Sequence, residues 1–189
     1  MYRKLLLLLL IMTAWIGVSH AQHIAIRNNV LYDLTGALSA GVEIPCSQKS
    51  SIDVYGSIRP WKREAENVHK HWLTEVQYRY WTCQVMNGFF LGPYAHVGEF
   101  NLGNYNLLPG TLRVAKNSRY EGWLAGLGFG IGYEYALAKH WNIGAEIGVG
   151  YTYINYKAYA CERCGKLKDN DVYHYIGPSR IGLSILYVF

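Results

Sequence analysis

The chain has 189 residues, enough for one domain, and its formal net charge is +5. Loss of the basic start, Arg3-Lys4, with a signal peptide would leave about +3, which is too small and too scattered to indicate nucleic-acid binding. No apolar run after residue 21 is long enough for a membrane helix. The 17 tyrosines, 6 tryptophans and 20 glycines are instead typical of a transmembrane barrel with aromatic girdles and a lumen lined by small residues.

Residues 1–21 have the pattern of a secretory signal peptide. The basic start precedes a compact apolar core at 5–12, and residues 19–21, Ser-His-Ala, form a small-residue cleavage site. The core is short for a membrane anchor and no stop-transfer segment follows, so we expect cleavage and export. The mature chain, residues 22–189, is predicted to be a single domain.

Alternation of apolar and polar residues predicts eight strands, because successive side chains of a strand point to opposite faces. The predicted strands cover about 23–34, 37–44, 51–61, 71–81, 88–100, the two arms of the hairpin 122–156, and 173–189. In the hairpin one face is apolar or aromatic and the other is mostly glycine, with Leu124 and Ile154 as the main exceptions. In the first strand the alternation places Val30 and Tyr32 on the apolar face.

The predicted connections alternate in length. Short turns follow the second, fourth and sixth strands, whereas longer charged segments follow the third, fifth and seventh, as in barrels with periplasmic turns and longer outer loops. The loops at 62–70, 101–119 and 157–172 are therefore expected to be extracellular, and both termini periplasmic. These features predict an all-β, eight-stranded antiparallel up-and-down transmembrane β-barrel in the outer membrane of a Gram-negative bacterium.

Charged residues within the predicted strands nearly all lie on the face opposite the apolar one. An arginine facing lipid near mid-bilayer would cost about 2–4 kcal/mol, so we expect these groups to pair inside a lumen that side chains can fill. A soluble, lipocalin-like barrel would instead place its apolar face inward, and the bulk and aromatic ends of that face favour the membrane alternative. The expected lumen charge network comprises Arg27, Glu43, Asp53, Arg59, Glu75, Arg79, Glu134, Glu146 and Arg180.

A set of short motifs occurs in order along nearly the whole mature chain. They are Asn28-Asn29-Val30-Leu31-Tyr32-Asp33, His71-Trp72-Leu73, Tyr78-Arg79-Tyr80-Trp81, Tyr120-Glu121-Gly122-Trp123, Lys139-His140-Trp141-Asn142, Gly148-Val149-Gly150-Tyr151, Cys161-x-x-Cys164-Gly165, Gly177-Pro178 and Tyr187-Val188-Phe189. Together they resemble a family of small outer-membrane β-barrel proteins of unknown function from Bacteroidetes.

This resemblance implies the barrel and its location, and it carries no known activity, cofactor or catalytic residue. Some members of the family are thought to accompany fimbria-like surface proteins, which implies that class of partner. The terminal Tyr187 and Phe189 resemble the signal that the barrel-assembly machinery reads.

Four cysteines leave several alternatives open. Cys161 and Cys164 lie in the last predicted outer loop, where export favours a local disulfide over a redox pair or a zinc site completed by His69, His71 or His174. Cys46 and Cys83 map to periplasmic turns two inter-strand spacings apart, roughly 10 Å. That separation exceeds what a disulfide spans unless the turns lean together, so a bridge, free thiols and thiols linked to a partner all remain open.

No motif supplies chemistry, so we expect a non-enzymatic surface protein for binding, adhesion or scaffolding, without cofactor, metal or catalytic residues. Basic residues of the outer loops would contact lipopolysaccharide phosphates or an acidic surface partner; these candidates are Lys116, Arg119, Arg163, Lys166 and Lys168. One alternative is a lipid-modifying or peptide-cleaving enzyme of the outer leaflet that uses Asp169, Asp171 and His174. A narrow pore is the other, which a lumen crowded with opposite charges disfavours.

Overall fold

The eight predicted strands form one closed antiparallel sheet. The structure, a computed structural model, describes residues 24–59, 68–103, 118–160 and 165–189. Its strands are β1 Ala25–Asn29, β2 Leu38–Ser47, β3 Ser50–Arg59, β4 Val68–Trp81, β5 Gly88–Gly103, β6 Arg119–Ala136, β7 Trp141–Tyr159 and β8 Leu167–Val188. Each strand pairs with its neighbours in sequence, and β8 pairs with β1 to close the ring. The predicted eight-stranded up-and-down barrel is confirmed as a fold.

Several of the predicted features lie outside the described residues. They are the signal peptide, the cysteine pair Cys161 and Cys164, and the basic candidates Lys116 and Arg163.

The alternation of the sequence sorts side chains between the two faces of the barrel wall. Outward-facing apolar residues such as Leu127, which is 67% exposed, cover the outside, whereas charged residues such as Arg79 and Asp53 are fully buried in the lumen. The two ends of the barrel differ. The turn end carries the short turns at 48–49, 82–87 and 137–140, and the loop end carries the longer connections.

The first predicted strand is wrong beyond Asn29, where a one-turn helix, α1 Val30–Leu34, replaces it. The Asn29 side chain caps α1 by accepting a hydrogen bond from the Leu31 amide at 3.2 Å. This turn moves Tyr32 from the expected outer face to the lumen, where its ring packs edge-on against Tyr55 at 5.8 Å. No helix in the described ranges is long and apolar enough to cross a membrane.

The predicted outer loops are too long, because several strands continue into them. β5 extends to Gly103, β7 extends to Tyr159, and β8 begins at Leu167. Arg119 and Lys168 are therefore strand residues rather than loop residues. The physical reason is that polar strands above an apolar band keep their backbone pairing while losing the apolar alternation that marks a strand in the sequence.

A β-bulge in β8 changes the lumen. Gly148 pairs with Arg180 whereas Val149 pairs with Pro178, so Ser179 is an extra residue on β8. Ser179 contacts the Tyr94 hydroxyl at 2.6 Å and the adjacent Arg180 contacts Glu75 at 2.9 Å. The bulge thus turns two consecutive side chains into the lumen.

Apolar side chains close the lumen at the turn end. Met86, Ala25 and Leu186 form a buried cluster there. Above it, the rings of Trp81 and Phe90 pack with centroids 4.8 Å apart. The barrel interior is therefore ionic in the middle and apolar where the short turns meet it.

Candidate functional site

A buried ion network fills the middle of the lumen. Arg79 lies at its centre: its Nη1 is 2.5 Å from Glu43 Oε2, and its Nη2 is 2.9 Å from Glu146 Oε2. The Arg79 Nε donates to Gln77 Oε1 at 2.8 Å, and the guanidinium lies 4.4 Å from the centroid of the Phe90 ring. One side chain from β4 thereby connects strands on opposite sides of the barrel.

Two further arginines extend the network. Arg27 donates to Asp53 Oδ2 at 2.6 Å, and Arg180 reaches the same Asp53 oxygen at 3.2 Å. Arg180 also pairs with Glu75 and, through Nε, with Glu146. Asp53 therefore receives guanidinium groups from three different strands, since Arg79 contacts it as well.

Eight of the nine predicted network residues come together in this way. Within the described residues, five carboxylates face three guanidinium groups, and Glu134 is held mainly by the Asn142 amide at 2.9 Å. Arg59 is buried but lies towards the loop end, where its guanidinium approaches Gly36. The space between the described side chains of the network, among Arg27, Glu75 and Arg180, holds no water-sized void.

Above the network, β5 lays two large side chains over the glycines of its neighbour β6 on the lumen side of the wall. A Cβ built on Gly126 would lie 2.5 Å from His96 Nε2, and one on Gly128 would lie 2.4 Å from the Tyr94 ring. His96 Nε2 contacts Thr152 Oγ1 at 3.0 Å, which anchors the imidazole. The glycine run of the hairpin is thus explained by close approach of lumen side chains.

A groove of about 620 Å³ lies largely on the outer wall near the loop end. Two tryptophans, Trp72 and Trp123, line it, and the Trp72 indole donates to Glu99 Oε2 at 3.0 Å. Charges of both signs surround the tryptophans; they come from Lys70, Glu99, Glu121 and Lys157. Such a mixture of aromatic and charged groups suits the boundary between an apolar band and water.

The rim beside this groove carries an internal cluster of polar groups. Arg119 Nη2 is 3.2 Å from Glu121 Oε2, and the Tyr159 hydroxyl donates to Glu121 Oε1 at 2.8 Å. That hydrogen bond raises the pKa of the Tyr159 phenol. Arg119 is consequently engaged within the chain, whereas the other described basic candidates, Lys166 and Lys168, are exposed.

The structure does not assemble the residues of the enzyme alternative. Asp171 lies opposite Tyr156 on the lumen-side face of β8, whereas His174 lies opposite Tyr153 on the outer face. Burial and the nearby carboxylates of Asp169 and Asp171 raise the pKa of the Tyr156 phenol. This agrees with the position of both aspartates on the same face of the sheet as Tyr156. His174 instead stacks on Tyr151 and its Nδ1 is 2.6 Å from the Tyr151 hydroxyl.

The remaining candidates lie at separate places. Cys46 and Cys83 are free, exposed thiols near the turn end, so the alternative of a bridge between them is wrong. Among the described side chains, no three His, Cys, Asp or Glu residues are arranged to hold a metal ion. At the C-terminus, Tyr187 packs edge-on against Phe189 at 5.0 Å, and the Phe189 amide donates to the Ile24 carbonyl at 3.0 Å.

Comparison with known proteins shows which family the chain belongs to. No curated protein matches the chain. One family model, described as a protein of unknown function (DUF3575), matches residues 5–189. Since this match covers almost the entire sequence, the chain belongs to the DUF3575 family of proteins of unknown function.

Proposed function

We propose that this chain is a non-enzymatic barrel of the outer membrane of a Gram-negative bacterium, from Bacteroidetes, whose loop-end rim binds or scaffolds a surface partner. Residues 1–21 act as a cleaved signal peptide, and Tyr187 and Phe189 act as the signal for the barrel-assembly machinery. The termini and the turn end face the periplasm, and the loop end faces outward.

The observation that carries the proposal is the belt of exposed apolar side chains around the barrel. A soluble protein rarely exposes a contiguous apolar surface of this kind. The belt is bounded by aromatic side chains on both sides, Trp72 and Trp123 towards the loop end and Tyr135 and Trp141 towards the turn end. Outer-membrane barrels have an apolar band about 25 Å tall between two such girdles.

The lumen supports a binding role over a pore. The ion network and the apolar closure at the turn end leave no water-sized void among the described network residues. A narrow channel would have to break several buried ion pairs to open, and removing one partner from such a pair costs about 3–5 kcal/mol.

The binding surface would be the rim and the outer-wall groove. Lys166 and Lys168 are exposed beside the loop end and can meet phosphates of lipopolysaccharide or carboxylates of a surface protein. A fimbria-like surface protein is the partner class that the family resemblance suggests. The enzyme alternative is less favoured because Asp171 and His174 face opposite sides of β8.

Thiol labelling in whole cells tests the orientation. A membrane-impermeant maleimide should label Lys168→Cys in intact cells of a background in which the native cysteines are replaced by serine. Cys46 and Cys83, in separate strains that keep only one of them, should react only after the outer membrane is permeabilised, because both lie near the turn end. Labelling of the two native thiols in intact cells would contradict the proposed orientation.

Two further measurements test the function. Photocrosslinkers at Lys168 in native membranes should capture a surface protein or lipopolysaccharide that crosslinkers at Gln48, in a turn-end position, do not capture. Lipid A from a strain with Asp169, Asp171 and His174 replaced by alanine should be unchanged. An altered lipid profile in that strain would favour the enzyme alternative.

A further inference from the structure

One edge of the sheet is left open at the loop end. β8 pairs with β7 along almost its whole length, from Leu167 to Tyr187, but with β1 only at residues 184–188. Among the described residues, β8 therefore has a strand neighbour on one side only from 167 to 183. An edge of this length presents backbone N–H and C=O groups to any extended chain that comes alongside.

Next to the pairing of β8 with β1, the backbone N–H and C=O groups of this edge already have hydrogen-bond partners. The Asn29 side chain accepts from the Leu183 amide at 3.3 Å and donates to the Ile181 carbonyl at 3.4 Å. The amide group of Asn29 thus replaces the strand that α1 interrupts. Beyond it, residues 167–177, which we call the β8 edge, have no strand or capping side chain of this kind beside them in the part of the chain that the structure describes.

Two amides of the β8 edge are held by carboxylates instead of by a strand. The Asn170 amide donates to Asp169 Oδ1 at 2.9 Å, and the Val172 amide donates to Asp171 Oδ1 at 2.7 Å. N–H groups alternate between the two sides of a strand, and below the bulge the even-numbered amides point towards β7, as the Val188 amide does when it donates to the His140 carbonyl. The extra residue Ser179 reverses this alternation, so the Asn170 and Val172 amides point away from β7. Each is available to a carbonyl of an added strand once its aspartate moves aside.

We propose that the β8 edge accepts an extended polypeptide segment of a partner in which basic residues alternate with apolar ones. The inference deepens the proposed surface-binding function and rests on it. Backbone carbonyls of the partner would accept from the Asn170 and Val172 amides, as in other cases of strand addition.

The charges of the β8 edge determine which residues the added strand should carry on its lumen-side face. When partner carbonyls take the two amides, Asp169 and Asp171 lose those hydrogen bonds and need new partners on the same face. Lysine or arginine at alternate positions of the added strand supplies them, since opposite charges across a strand pair are stabilising and like charges are destabilising.

The apolar surface of β8 determines which residues the added strand should carry on its outer face. Ile176 is 83% exposed on the outer face of β8 and pairs with Tyr151, level with Leu127 in the apolar belt, so the end of an added strand that reaches it would also face lipid. An apolar residue of an added strand would cover this side chain, because cross-strand neighbours on one face pack against each other.

A second copy of this chain fits the β8 edge less well. An antiparallel pairing of two β8 edges centred on Asp171 places that aspartate opposite itself, and one centred on Asn170 places Asp169 opposite Asp171. Like charges directly opposite each other are destabilising, so these registers disfavour self-association. The two aspartates of the β8 edge thus disfavour pairing with a second copy of this chain and favour pairing with a basic strand.

Peptide binding to the refolded full-length barrel tests the inference. The probe is a short synthetic peptide in which lysine and valine alternate, and its control is a peptide in which glutamate and valine alternate. Binding is measured by fluorescence anisotropy in nanodiscs of zwitterionic lipid. The lysine peptide should bind about tenfold more tightly, because two cross-strand charge pairs change sign.

Matched variants separate backbone docking from attraction by charge alone. Asn170→Pro with Val172→Pro removes the two open amides and should abolish binding, while the alanine pair at these positions keeps the amides and should bind normally. Asp169→Asn with Asp171→Asn should remove the preference for lysine; this variant also decides the matter if the proline variant does not fold.

Equal binding to the proline and alanine variants, or equal binding of the two peptides, would overturn the inference. Self-association of the barrel that the proline variant abolishes would overturn it too, by assigning the β8 edge to a second copy. The thiol labelling described above reads out the proposed function separately, since it depends on orientation and not on the β8 edge.

Discussion

Replacing Arg79 by methionine should be among the most damaging single changes in this barrel. Arg79 is fully buried and holds Glu43 at 2.5 Å and Glu146 at 2.9 Å. Methionine keeps much of the volume but leaves these carboxylates with less positive charge in a dry lumen. Breaking a buried pair by removing one partner costs about 3–5 kcal/mol. At about 2–4 °C per kcal/mol for a chain of this size, the unfolding midpoint should fall by about 6–20 °C.

The assay is thermal unfolding of the refolded barrel, followed by tryptophan fluorescence. Trp81 is a suitable reporter because its ring packs on Phe90 beside Arg79. The matched control is Arg119→Met, which removes an ion pair at the partly exposed rim and should cost no more than about 1 kcal/mol.

A second substitution tests the same argument, because its effect on the unfolding midpoint should change sign between two backgrounds. Glu43→Gln should destabilise the wild-type barrel, because it weakens the contact with Arg79. In the Arg79→Met background it should instead raise the midpoint, because it removes a buried charge that has lost its main cation. If Arg79→Met cost no more than Arg119→Met, or if Glu43→Gln lowered the midpoint equally in both backgrounds, the electrostatic account of the lumen would be refuted.

Two further predictions concern the wall. Gly92→Ala should destabilise the barrel by about 1–3 kcal/mol in denaturant unfolding, because its Cβ would lie 1.8 Å from the Tyr78 carbonyl oxygen, whereas Gly56→Ala, with its nearest neighbour at 3.8 Å, should cost nothing. Leu127→Arg, in the middle of the exposed belt, should cost about 2–4 kcal/mol in lipid vesicles, and Leu167→Arg at the start of β8 should be neutral. Equal costs for the two glycines, or for the two arginine variants, would contradict these arguments.

The sequence was most informative where one face of a strand is apolar. In β6 and β7 the alternation alone gives the correct inward and outward faces, and Glu134 and Glu146 are buried as expected. Arg27, Arg79 and Arg180 follow the same rule. The pairing partners within the network were not predictable, because they depend on the barrel stagger and on the bulge at Ser179.

The prediction failed where the apolar signal stops. The first strand ends at Asn29, and the capping role of Asn29 that starts α1 is a local hydrogen bond that alternation does not reveal. The prediction of the strand ends at the loop end failed for the opposite reason. The residues there are paired in strands, but they are polar and lack the alternation that predicts a strand. Met86 and Leu186 were missed as lumen residues because a turn and a strand end have too few residues to show a period.

The short β1 has a consequence for how the chain reaches its native state. Seven hairpin pairings join strands that follow one another, but the last pairing joins the first strand to the eighth, and the Asn29–Leu183 contact spans 154 residues. Contacts between such distant positions form slowly, since the loop entropy is lost before the contact is made. The order of folding should therefore end at this seam, where five residues and one asparagine side chain complete the cylinder.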